Sequence, residues 1–180
     1  MQQTWLVWKA ALAPEICDYF IKTGLEAPAQ EASIGFSGDT HADESYRKST
    51  VHWVNDPIVS AVLHSYGLEA NKVWNFDISG GVKEVQFTEY GLNGKYDWHH
   101  DVDWRCQTHD RKLSVVVQLS SDYEGGEFQF KSPADSLPLD LFRPRGSILV
   151  FPSFFEHKVH PVTSGTRYSM VTWLHGPKYR

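Results

Sequence analysis

Two residues of this 180-residue chain stand at a spacing that could do chemistry: His99 and Asp101, in the run Lys95-Tyr96-Asp97-Trp98-His99-His100-Asp101. On a β-strand, side chains two apart share a face. A strand here therefore aims an imidazole and a carboxylate at one point and turns His100 away. These are two corners of a 2-His-1-carboxylate set, which leaves metal positions open and suits non-haem Fe(II). The third donor must come from elsewhere, and His157 is the best placed of the remaining histidines. It follows the buried-looking run Gly146 to Ser153 and opens the next strand, and strand ends around a barrel mouth converge. A lone histidine in such a place is more often a surface residue than a ligand, so its neighbours must decide. His160, three residues on, is expected on the opposite side.

Ten residues after His157 comes Arg167, opening Arg167-Tyr168-Ser169-Met170-Val171-Thr172-Trp173. Alternation puts Arg167, Ser169 and Val171 on one face. If that face lines a cavity, the guanidinium needs an anion. A ligand carboxylate would serve, bound bidentately with help from the Ser169 hydroxyl. A distant Asp or Glu on the surface would serve as well, and spacing alone leaves both open.

The elements that must position these residues change character along the chain. Trp5 to Leu12 reads as a strand. A helix is expected from Pro14 to about Thr23, stopped by Gly24. The stretch 30–44 reads as loop with a short strand near Ile34–Phe36, and Ser49 to Val54 as a strand. Asn55-Asp56-Pro57 starts a second helix that Gly67 ends or weakens. After Phe76 nothing helical is expected. Strands are predicted at Val82–Tyr90, Lys95–Asp101, Leu113–Leu119, Glu127–Phe130, Leu139–Phe142, Ser147–Phe151, Lys158–Val162 and Arg167–Leu174. Eight short strands at this spacing suggest an antiparallel jelly roll. The expected architecture is thus a β-rich α+β fold in one domain, 1–180, with helices and strands of 1–75 buttressing a core at 76–180.

Composition bounds the function classes. Hydrophobic residues are 41%, charged residues 22%, and the net charge is −5, with no long basic run, which argues against a nucleic-acid footprint. Aromatics reach 14%, with seven Trp, as suits a lined β-cavity. Cys17 and Cys106 form no CxxC and read as free thiols of a reducing compartment. No leader or membrane span is evident, so a cytoplasmic protein of open oligomeric state is expected. Asp103, Trp104, Arg105 and His109 fall in a polar loop where a substrate lid could lie. Trp98 and Trp173 read as core or cavity wall.

Together these motifs resemble the prolyl 4-hydroxylase branch of the Fe(II)/2-oxoglutarate oxygenases, including the proteins grouped as PKHD-type hydroxylases. The carrying runs are Glu84 to Tyr90 with Gly94 to Asp101, Arg111 to Ser114, Tyr123 to Phe128, Phe151 to Ser153, His157 to Val162 and Gly165 to Trp173. The resemblance implies a double-stranded β-helix (jelly roll, cupin-like). It implies Fe(II) held by His99, Asp101 and His157, with 2-oxoglutarate and O₂ as cosubstrates and ascorbate as a candidate reductant. Arg167 matches the residue binding the distal carboxylate of 2-oxoglutarate, and Tyr90 a tyrosine near that cosubstrate. Upstream, Arg47, Ser49 and Trp53 resemble an Arg-x-Ser…Trp segment and are candidates for substrate contact. Arg47 is expected to be polar and mobile. The implied partner is a proline-containing peptide or protein, and an extended peptide is expected to enter over the open edge formed by the 30–50 segment and the 102–111 loop. The alternatives are another side chain or small metabolite with the same cofactors, or a non-catalytic binding module.

Overall fold

The computed structural model describes residues 3–36, 39–82, 84–102, 104–132 and 136–179. The first third of the chain runs β1 (Leu6–Trp8), α1 (Pro14–Glu26), β2 (Ala29–Glu31), β3 (Ile34–Phe36), β4 (Asp39–His41), β5 (Arg47–Lys48), β6 (Thr50–Val54) and α2 (Pro57–Trp74). The rest runs β7 (Val85–Tyr90), β8 (Lys95–His99), β9 (Asp110–Gln118), β10 (Tyr123–Gly125), β11 (Phe128–Phe130), α3 (Leu139–Phe142), β12 (Ile148–Pro152), β13 (His157–Val159), β14 (Val162–Gly165) and β15 (Arg167–Gly176).

Seven strands form a major antiparallel sheet in the order β1-β12-β9-β15-β7-β6-β2, and four form a minor sheet, β11-β13-β8-β5. Strand β9, third in that order, is buried on both faces, and its apolar stretch Leu113–Val117 is interrupted only by Ser114. Its alternate residues serve different layers. Val115 and Val117 join the core under the helices, with Phe20 of α1 and Leu63 of α2. Val116 faces the other way, into a second core between the sheets with Phe128, Phe151 and Val159. The result is three layers: helices, major sheet, minor sheet. This is the β-rich α+β architecture expected, and the site lies between the two sheets.

Several local expectations fail for identifiable reasons. Gly24 does not stop α1, which continues to Glu26. A Cβ at Gly24 would lie 2.3 Å from Cγ of Phe87, so the glycine is there to let the helix approach the sheet. Of the two readings of Gly67, only termination is removed: it lies inside α2, against Leu174 and Val115. Leu139–Phe142 is one helical turn rather than a strand. Pro138 and Pro144 bracket it and lack the N–H groups a ladder needs, while Arg143 N–H closes the turn on the Leu139 carbonyl at 3.0 Å. Pro161 divides the expected 158–162 strand: β13 stays in the minor sheet, and β14 crosses to pair with β10. The 30–44 stretch holds three short strands where mostly loop is expected. Among the described residues no helix is long and apolar enough to cross a membrane.

Candidate active site

The site is built on the β8–β13 pair. His157 lies directly across from His99 in the register, which brings the imidazole centroids to 4.2 Å. Strand β8 ends at His99, so Asp101 is not aimed by alternation alone. Its backbone N–H is tied to the Ser153 carbonyl at 3.0 Å, which turns the carboxylate back toward the histidines. Asp101 Oδ1 then lies 3.7 Å from His99 Nε2 and 3.8 Å from His157 Nε2. The three donor atoms fall within 4.8 Å of one another, among the described residues the only such cluster of His, Cys, Asp or Glu.

The neighbours set each donor's chemical state. His99 Nδ1 faces the Asp97 carbonyl at 2.7 Å, and His157 Nδ1 faces the Phe155 carbonyl at 2.9 Å. A carbonyl only accepts, so each Nδ1 carries the proton and each Nε2 offers a lone pair to the shared centre. The rings are fixed by stacking: Tyr96 on His99 at 3.5 Å between centroids, Phe128 on His157 at 5.0 Å. Burial, reinforced by the neighbouring His157, holds the His99 pKa well below its ordinary value. Burial also lowers that of His157, partly opposed by Asp101. For Asp101, burial pushes upward, but His157, His99 and the Ser114 hydroxyl outweigh it and lower the carboxyl's pKa. Ser114 donates to Asp101 Oδ2 at 2.6 Å. Two neutral imidazoles and one held carboxylate are the donor set that fits Fe(II).

A cavity of about 230 Å³ opens on this cluster. Arg167, Ser169, Val171 and Trp173 of β15 line one wall, as the alternation predicts. Arg167 is only 2% exposed, and among the described residues no carboxylate reaches ion-pair distance of it. Its guanidinium is 3.4 Å through Nη1 from Ser169 Oγ and 5.3 Å from the centre of the Tyr90 ring. A buried cation so placed fits a ligand carboxylate.

The upstream candidates separate. Arg47 is not a solvated residue: it lies on β5, paired with Tyr96 of β8, and is buried. Strand pairing and its packing against the Tyr96 ring (4.3 Å) hold it there. Trp53 lines the cavity mouth, 40% exposed. Ser49 does not reach the main cavity: it lines an adjoining groove and accepts a bond from Arg47 Nε at 3.3 Å. His160 points outward to Gln129. Trp98 is in neither core nor wall, but half-buried beside the Lys158 ammonium. Trp104 is exposed, His109 packs against His175, and Asp103 lies outside the described residues. Sequence reasoning assigned no role to Ser114, Tyr96 or Phe128. They act through contacts with the ligands, and a serine on β9 or an aromatic on β8 or β11 carries no signal of which ring it will touch.

A model of the 2OG-Fe(II) oxygenase superfamily matches residues 85–175, the span that holds all three metal donors and Arg167. A PKHD-type hydroxylase of Synechococcus sp. (strain CC9311) is 37% identical over 161 residues, covering 83% of this chain and 70% of that protein. Another, of Synechococcus sp. (strain CC9902), is 42% identical over 119 residues, 64% of this chain. The chain spans about half the length of that protein, 52%. Among solved structures, a Pseudomonas putida prolyl-4-hydroxylase superposes with a TM-score of 0.74 over 97% of this chain and 93% of its own, at 19% identity. A Trichoplax adhaerens prolyl hydroxylase, in complex with a hypoxia inducible factor peptide fragment, reaches 0.77 at 15% identity over 96% of this chain and 83% of its own. Those likenesses establish a double-stranded β-helix fold. With the matched span, the relative covered over most of its length and the His-Asp-His cluster in agreement, the chain belongs to the 2OG-Fe(II) oxygenase superfamily.

Proposed function

We propose that the protein is an Fe(II)- and 2-oxoglutarate-dependent dioxygenase that hydroxylates a peptidyl-proline. The observation that carries the cofactor assignment is one cavity holding both the His99/Asp101/His157 cluster and a buried Arg167 with no carboxylate of the described residues at ion-pair distance. His99, Asp101 and His157 would hold the metal through two Nε2 lone pairs and one carboxylate. Arg167, with Ser169, would take the distal carboxylate of 2-oxoglutarate beside the Tyr90 ring. Bound there, the metal with 2-oxoglutarate and O₂ supplies C–H hydroxylation, with succinate and CO₂ as coproducts; ascorbate as reductant belongs to the same reading. The chain's own contribution is positional. Carbonyl bonds from both Nδ1 atoms fix the imidazoles, Ser114 fixes the carboxylate, and Phe128 and Tyr96 shield the rings from water.

The prolyl substrate rests on less. It is supported by the PKHD-type relatives and by the fold shared with prolyl hydroxylases, and by the aromatic lining of Trp53 at the mouth and Trp173 in the wall. A carbocyclase from nogalamycin biosynthesis shares the fold at a TM-score of 0.65, so the fold does not select the substrate. The test is incubation with Fe(II), 2-oxoglutarate and a library of prolyl peptides, reading succinate release and mass. One added oxygen atom on proline, dependent on both cofactors, is expected. Oxygen appearing only on another residue or on a free metabolite would overturn the prolyl assignment.

A further inference from the structure

Arg167 is not the only arginine buried in the cavity wall without a counter-ion among the described residues. Arg47 is 8% exposed and lines both the main cavity and the adjoining groove. Its hydrogen bonds go to neutral acceptors at long range, Nη1 to the Ser33 carbonyl and Nε to Ser49 Oγ, both at 3.3 Å. Its guanidinium carbon sits 4.3 Å from the centre of the Tyr96 ring, the ring that stacks on His99. Nη2 makes no hydrogen bond to the described residues. Nor does any carboxylate among them come within ion-pair distance: Glu44 engages Lys48 at 3.8 Å, and Glu31 is exposed at the rim.

The charges of the site show why this matters, taking the cofactors proposed above. Arg111, the third arginine of the wall, is paired with Glu84. A divalent metal is balanced by Asp101 and the C1 carboxylate of 2-oxoglutarate, and Arg167 by the distal carboxylate. Among the described residues of the cavity wall, Arg47 is left as the one buried charge with no charge opposing it. A buried guanidinium that lacks a partner is costly, and a bidentate carboxylate is the partner its geometry suits best. We infer that Arg47 binds a carboxylate of the substrate, so that the substrate is an acid: a free amino acid held by its α-carboxylate, or a peptide with an acidic side chain beside the target residue.

The inference rests on the oxygenase reading but not on proline, and the experiment separates the two. Protein loaded with Mn(II) and the 2-oxoglutarate analogue N-oxalylglycine, which occupies Arg167, is titrated calorimetrically with matched acid and amide probes. These are L-proline against L-prolinamide, L-leucine against L-leucinamide, and end-blocked Glu-Pro-Gly against Gln-Pro-Gly and Glu-Leu-Gly against Gln-Leu-Gly. At least one acid should bind tenfold or more tighter than its amide. Arg47→Gln should abolish that preference, and Arg47→Lys, which keeps the charge, should retain most of it. The free amino acids and the blocked peptides tell the two sources of carboxylate apart. An acid preference confined to the leucyl probes keeps the inference and removes the prolyl substrate. Equal or absent binding of acid and amide in every pair, or a preference that survives Arg47→Gln, overturns the inference.

Discussion

His157 and His160 differ by three positions and have opposite fates, which makes them a matched test of the site. The first has its Nδ1 held by a carbonyl and its Nε2 turned to Asp101, while the second bonds Gln129 outside the cavity. His157→Ala should lower Mn(II) affinity a hundredfold or more, while His160→Ala leaves it within about twofold. The reverse order in a metal titration would displace His157 from the cluster. At Arg167, removing a buried charge-assisted contact costs about 2–5 kcal/mol, so Arg167→Ala should raise the dissociation constant for 2-oxoglutarate at least thirtyfold. Mn(II) binding without cosubstrate should change far less. An unchanged constant for 2-oxoglutarate would leave the buried guanidinium without its assigned ligand.

Helix α1 reaches the major sheet through a glycine, and the element's stability should report it. Replacing an interior helix glycine by alanine ordinarily gains about 0.5–1 kcal/mol. At Gly24 the new methyl would press on the Phe87 ring, which is itself stacked on Tyr168 at 5.5 Å and fully buried. A wedged ring has no free direction in which to yield, and overpacking of this kind costs about 1–3 kcal/mol. Gly24→Ala should therefore lower the denaturant midpoint. A raised midpoint would mean that the helix shifts away at little cost, and that the close approach is not required.

Across the whole molecule, the C-terminal residues are clamped to the start of β9 through Asp110, whose carboxylate takes the Lys178 ammonium at 2.7 Å and the Tyr179 N–H at 2.6 Å. Burial pushes its pKa up, yet the Lys178 and Tyr179 contacts outweigh it and hold it below the ordinary carboxylate value. A carboxyl with a depressed folded pKa stabilises the fold fully above its unfolded value, about 4, and loses that contribution as pH falls through the folded value. Melting temperature should therefore drop below about pH 4. Asp110→Asn should lower it at neutral pH and shrink its acid dependence. A variant with the same acid slope as the parent would show that other carboxylates carry the effect.

What the sequence determined by itself is local and chemical. The spacing of His99 and Asp101, the alternation Arg167-Ser169-Val171, and Pro14 and Pro57 at helix starts all follow from fixed periods of backbone geometry. Those periods are why donor types, cavity face and β-rich class were legible. Contacts between residues distant in sequence were not. Gly24 and Gly67 sit inside their helices, where Phe87 and Leu174 leave no room for a side chain. Asp101 turns inward past the end of its strand because Ser153 holds its N–H. Arg47 is buried because β5 pairs with β8, placing it against Tyr96. Each outcome depends on which segment folds against which, and no period in the chain encodes that. Tertiary packing alone decided that, among the described residues, two buried arginines rather than one would face the same cavity.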